Sequence, residues 1–155
     1  MPTRVAPAPE REQRDDARSA RPPGDPRGLA DPGYRRKLSG PGLEAFFKIA
    51  ERWNLSVREQ QTLLGAPPRS TFFSWRKGAP VTLSRDTLER ISHILGIYKD
   101  LRILFPSEDT ANQWIKMPND EPLFGKKPAL EFLLGGSIAE LITVHEYLDT
   151  QRGGW

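Results

Sequence analysis

From Leu38 onward the apolar positions recur at helical spacing. Leu43, Phe46, Phe47, Ala50 and Trp53 fall at i, i+3, i+4, i+7 and i+10, which predicts one buried helix face. Asn54 and Leu55 interrupt it. Ser56-Val-Arg-Glu59 has the form of a capping box and predicts a short helix to Leu64. Gly65 is placed to end that helix in the left-handed conformation, and Pro67-Pro68 forbid its continuation. A third helix is expected from Arg69 or Ser70 to Lys77, stopped by Gly78 and Pro80. Ser84 caps a fourth, with Leu88, Ile91 and Leu95 on its face and an end near Gly96. Ile97, Leu101, Leu104 and Phe105 form the face of a fifth, ending before Pro106. Ser107 caps a sixth to about Lys116. After the Pro-rich connection from Met117 to Lys127, Pro128 suits the first turn of a helix over Ala129–Leu134. Gly135-Gly136 break it, and Ser137 caps a last helix with Ile138, Leu141, Ile142, His145 and Leu148 on one face. Strand alternation is absent, and the predicted fold class is all-α.

Residues 1–37 have a different character. They hold seven Pro, three Gly and fifteen charged residues, with Val5, Leu29 and Tyr34 as nearly the only large side chains. Such a segment buries too little apolar surface to offset its ordering entropy, so a disordered tail is expected there. It also holds nine basic against six acidic residues, whereas residues 38–155 hold fourteen of each. The net charge of +3 therefore sits in the tail, and overall charge is no argument for nucleic-acid binding by the folded part.

The chain has no Cys, which excludes a disulfide scaffold, a zinc finger and a cysteine nucleophile. With His93 and His145 as its two histidines, a histidine metal cage is not expected, and no cofactor motif is present. Neither a Gly-rich phosphate loop nor a triad signature occurs. Glu108-Asp109 and Asp120-Glu121 are sequence neighbours, which point apart on a helix and make poor acid–base pairs. An enzyme is not expected. No stretch reaches the roughly 18 apolar residues of a membrane span, and no apolar signal core is found at the N-terminus. A soluble, cytoplasmic protein is the expectation.

Residues 56–77 have the anatomy of a helix-turn-helix, whose second helix offers its N-terminal residues to the DNA major groove. Phe72 and Trp75, at i and i+3, suit the inner face. Arg69, Ser70, Thr71, Ser74, Arg76 and Lys77 are left for phosphates and base edges. The same pattern also fits two ordinary helices with a solvated basic end favoured by the helix dipole.

The segment Gln151-Arg-Gly-Gly-Trp155 invites two readings. Its glycines let the backbone leave the last helix and enter a narrow space, and Trp155 is the residue type most enriched at interface hot spots. Alternatively Trp155 folds back on the protein's own core. The loop Pro122-Leu-Phe-Gly125 could likewise expose Phe124 to a partner or bury it.

Several of these runs occur together, in order, in one family. They are Arg69-Ser-Thr-Phe-Phe-Ser-Trp-Arg-Lys-Gly78, Leu83-Ser-Arg-Asp-Thr-Leu-Glu-Arg-Ile-Ser-His-Ile-Leu-Gly-Ile-Tyr98 and Leu101-Arg-Ile-Leu-Phe-Pro106. Trp114, Pro122-Leu-Phe-Gly125, Pro128, Gly135-Gly136, Tyr147-Leu-Asp and Arg152-Gly-Gly-Trp155 follow. From about residue 40 to 155 the chain resembles the Xre/MbcA/ParS-type antitoxins of RES-Xre (ParT-ParS-like) type II toxin–antitoxin systems. The resemblance implies a tail over 1–37, an Xre-like helix-turn-helix domain over 38–96 and a toxin-binding domain over 97–155. It implies a partner toxin with a RES domain, an ADP-ribosyltransferase-like fold that uses NAD⁺, whose NAD⁺ pocket the antitoxin blocks. Toxin contact is then expected from Tyr147, Asp149, Arg152, Gly153, Gly154, Trp155 and Phe124. On this reading Trp155 stacks in the place of a nucleotide ring, the terminal carboxylate or Asp149 faces cationic groups of the pocket and Arg152 pairs with an acidic group of the toxin. Homodimerisation and operator DNA binding with repression of its own operon are also implied. A stand-alone transcriptional regulator with a C-terminal oligomerisation module is the rival reading. The departures from the family pattern are the tail and the Pro67-Pro68 turn.

Overall fold

The computed structural model of the protein describes residues 28–153, so expectations for residues 1–27 and for Gly154 and Trp155 lie outside the described residues. A 3-10 turn at Gly28–Ala30 leads into seven α-helices among the described residues: α1 (Pro32–Arg52), α2 (Val57–Leu63), α3 (Arg69–Arg76), α4 (Arg85–Leu104), α5 (Glu108–Trp114), α6 (Ala129–Leu133) and α7 (Ile138–Gln151). The only pairing of extended backbone among them is an isolated bridge between Pro118 and Pro128, which closes the 117–127 loop. The all-α prediction holds. None of these helices is long and apolar enough to cross a membrane.

The predicted caps form as read. Ser56 accepts from the Glu59 N–H while the Glu59 carboxylate accepts from the Ser56 N–H, completing the capping box. Ser84, Ser107 and Ser137 each accept a backbone N–H at the start of α4, α5 and α7. Gly65 ends α2 at φ +93°, as expected of it. The next residue, Ala66, is also left-handed at φ +58°, a conformation that costs a residue with a Cβ about 1 kcal/mol. The Pro67-Pro68 pair follows and α3 begins at Arg69.

Two expectations are corrected. Residues 28–37 are not part of a tail: Leu29 is 3% exposed and α1 begins at Pro32, about eleven residues before the first periodic residue Leu43. Asp31 caps it by accepting from the Gly33 N–H, and Pro32 occupies the first turn, where its missing N–H costs nothing. The Arg35 guanidinium donates to the carbonyls of Leu29 and Leu83, and buried Ser39 accepts from the Leu83 N–H while donating to the Arg35 carbonyl. These contacts hold the helix through Pro41, which removes one internal hydrogen bond.

The second correction concerns Gly96. It does not end a helix; α4 runs without a break from Arg85 to Leu104, so the fourth and fifth predicted helices are one. This helix is the hub. It packs on α1, α7 and α5. Leu88, Ile91, Ile94, Ile97 and Leu101 are buried along it, in a single core that also takes in Phe46 and Trp53 from α1 and Leu141, Val144 and Leu148 from α7.

Candidate functional site

Helix α3 is anchored by its aromatic side. Phe72 is fully buried and meets Phe47 of α1 edge-on, with ring centroids 5.7 Å apart, while Trp75 is half-buried. That anchoring turns the other side outward. Arg69, Ser70, Ser74, Arg76 and Lys77 are exposed and Thr71 is half-buried, so the six residues expected to meet DNA lie together on or beside one helix. The Arg69 guanidinium rests over the Phe73 ring, 5.0 Å from its centroid, which restricts where its charge can point.

The other candidate surface lies at the end of α7. Asp100 of α4 is 1% exposed, and its Oδ1 accepts from the Arg152 guanidinium at 2.8 Å. Its Oδ2 is buried without a hydrogen-bond donor. His145 Nε2 lies 3.8 Å from that Oδ2 and 3.7 Å from Oδ2 of Asp149, one turn further along α7. On its other side the His145 ring shares a hydrogen bond with His93, Nδ1 to Nδ1 at 3.0 Å, which requires opposite roles of the two nitrogens. Burial, and next the proximity of His145, lower the His93 pKa. Burial also raises the Asp100 carboxyl, and next a hydrogen bond with the Asp149 carboxyl; together they outweigh the opposing pull of Arg152.

This packing explains Gly96. A Cβ there would collide with the Cε1 and Nε2 atoms of His145. Gly96→Ala is thus expected to reverse the gain of about 1 kcal/mol that Ala ordinarily brings to a helix interior. The His145 ring must leave His93 and the carboxylates, and we expect a net loss of about 1–2 kcal/mol, as for other overpacked positions, read by urea denaturation.

The sequence-predicted partner contacts separate into distinct classes. Asp149 is exposed and Tyr147 is half-buried, with its hydroxyl pKa raised by burial and then by Glu121. Gly153 follows α7 at φ +91° and its N–H donates to the Thr150 carbonyl, so it uses the conformational freedom expected of it. Two of these residues make contacts within the chain. The Arg152 guanidinium donates to Asp100, with its side chain 35% exposed. Phe124 is not displayed on the loop: it is 4% exposed, and its ring meets Trp114, Phe132 and Tyr147 edge-on at centroid distances of 5.5–6.0 Å. Asp100, the buried anion that organises this end, was not singled out in the sequence. Its only signal there is an acidic residue between Ile97 and Leu101, on a stretch otherwise read as an apolar face.

Two family models match the chain in succession. The antitoxin Xre-like helix-turn-helix domain matches residues 34–96, and the antitoxin Xre/MbcA/ParS C-terminal toxin-binding domain matches residues 100–154. Ile97 to Lys99, which separate the matches, lie inside α4. The chain is also 54% identical over 112 residues to the uncharacterized protein y4oB of Sinorhizobium fredii (strain NBRC 101917 / NGR234), covering 72% of this chain and 84% of that protein. No solved structure matches it.

Proposed function

The chain belongs to the Xre-type antitoxins, binding proteins without an enzymatic activity of their own, and from that premise we propose that it neutralises a RES-domain, NAD⁺-using toxin in the cytoplasm and represses its own operon as a homodimer. The segment Gly153–Trp155 enters the toxin's NAD⁺ pocket, with Trp155 in the place of a nucleotide ring and Asp149 and Tyr147 at the pocket rim. The observation that supports this most is the Asp100–Arg152 pair, which pins the last turn of α7 to α4 just before that segment leaves the helix. A pinned exit lowers the entropy lost when the segment docks. Arg152 acts here by holding the exit point.

The experiment is co-expression with the product of the neighbouring gene, reading growth and cellular NAD⁺. Toxicity of the neighbour alone, relieved by this chain, supports the proposal. A neighbour that is harmless by itself overturns it and leaves a stand-alone regulator.

Operator binding is carried by α3. Two-fold symmetric half-sites suit a homodimer that presents two such helices. Arg76 and Lys77, exposed at the C-terminal end of α3, act on phosphates, and the Ser70 and Ser74 hydroxyls lie nearer its start. Replacing both Arg76 and Lys77 by Ala is expected to weaken binding to the chain's own promoter at every sequence tested. It should also flatten the slope of log K against log salt by about two contacts per protomer. An unchanged slope would remove both residues from the DNA contact.

A further inference from the structure

The α4–α7 junction carries a constellation of which only Asp149 enters the toxin contact proposed above. Asp100 Oδ2, His145 Nε2 and Asp149 Oδ2 all lie within 4.8 Å of one another. We propose that these three atoms form a binding site for one divalent cation of the zinc class. His145 and Asp149 are four residues apart on α7, so both project from the same helix face, and Asp100 reaches the same point from α4.

Three observations carry the assignment. First, Asp100 Oδ2 is a carboxyl oxygen buried among helices and facing the Asp149 carboxyl and the His145 ring, a costly arrangement unless a proton or a metal ion sits among them. Second, the spacing fits. Zinc held at about 2.0–2.2 Å by nitrogen and oxygen places its ligand atoms about 3.4 Å apart. The two measured separations, 3.7 and 3.8 Å, need only small movements of His145 and the exposed Asp149. Third, the two inner ligands already have the supports that metal ligands take. His145 holds its other ring nitrogen against His93, so an Nδ1–H donated to His93 leaves Nε2 unprotonated for the metal. Asp100 keeps its second oxygen on Arg152, as ligating carboxylates are commonly hydrogen-bonded from outside.

The donor set selects the ion. An imidazole with two monodentate carboxylates suits zinc and its first-row neighbours. Calcium requires about six to eight oxygen ligands, and magnesium binds through oxygen and water. Three protein ligands leave the fourth tetrahedral position to water. The site joins α4 to α7 three residues before the Arg152 anchor, so occupancy fixes the helix end from which residue 153 departs.

The test uses the full, tag-free chain stripped with a chelator and then titrated with zinc chloride by calorimetry and with cobalt(II) by visible absorbance. One ion per chain is expected, with cobalt bands of tetrahedral intensity and a rise in melting temperature. Asp149→Asn, at an exposed position, and His145→Gln should each weaken binding at least 30-fold. His93→Phe, which removes only the outer support, should weaken it about 10-fold. If His145→Gln does not fold, Asp149→Asn decides alone. Absence of saturable binding at one ion per chain overturns the proposal. So does unchanged affinity in Asp149→Asn, or calcium binding as tightly as zinc.

Discussion

A chain cut after Arg152 is expected to fold normally and to lose neutralisation of its toxin. Gly153, the one described residue removed, is exposed, and its N–H donates to the Thr150 carbonyl at the end of α7. The melting temperature is expected to stay within about 2–4 °C of the full chain, since losing one exposed residue and one helix-end hydrogen bond costs about 1 kcal/mol or less. Toxin affinity should fall at least 100-fold, in line with about 2–4 kcal/mol for a buried aromatic hot spot. Calorimetric titration of purified toxin reads the affinity, and cellular NAD⁺ reads its consequence. Trp155→Ala in the full-length chain divides the effect between the indole and the backbone. Full neutralisation by the truncated chain would move the contact back to residues 97–150 and end the inhibitory role of the segment.

The second large effect is expected at Phe124, on stability. A ring at 4% exposure, surrounded edge-on by Trp114, Phe132 and Tyr147, loses both transfer free energy and packing when cut to Ala. Phe→Ala at such a site costs about 3–5 kcal/mol, or about 10–15 °C of melting temperature for a domain of this size. Toxin binding by Phe124→Ala should fall as the protein unfolds and recover at a temperature where the variant is still folded. A variant that melts like the parent yet binds toxin poorly would return Phe124 to the contact surface.

Local signals in the sequence were read correctly and long-range ones were not. The serine caps and the Gly65 stop depend on residues within about four positions, and each forms as the spacing dictates. Residues 28–37 read as tail because their composition, rich in charge with Leu29 and Tyr34 as the large apolar side chains, offers little surface to bury. What outweighs this is Arg35 and Ser39 reaching Leu83, more than forty positions away. Gly96 was read as a stop by local logic. Its actual reason is a ring from α7, which no window around residue 96 contains. The α3 face was legible because helical spacing alone sorts Phe72 and Trp75 from the polar positions. The cluster at the end of α7 was not, since Asp100 and the His145–Asp149 pair come together only through the packing of α4 on α7.

The unbroken course of α4 through both matched domains has a thermodynamic consequence. Twenty residues at about 1.5 Å each make a rod of about 30 Å that runs unbroken from one matched domain into the other. Any coupling between toxin and operator binding that this rod transmits is reciprocal. Whatever factor toxin imposes on operator affinity, operator must impose on toxin affinity. A promoter fragment added to the toxin titration is then a measure of repression, taken without any gene being expressed.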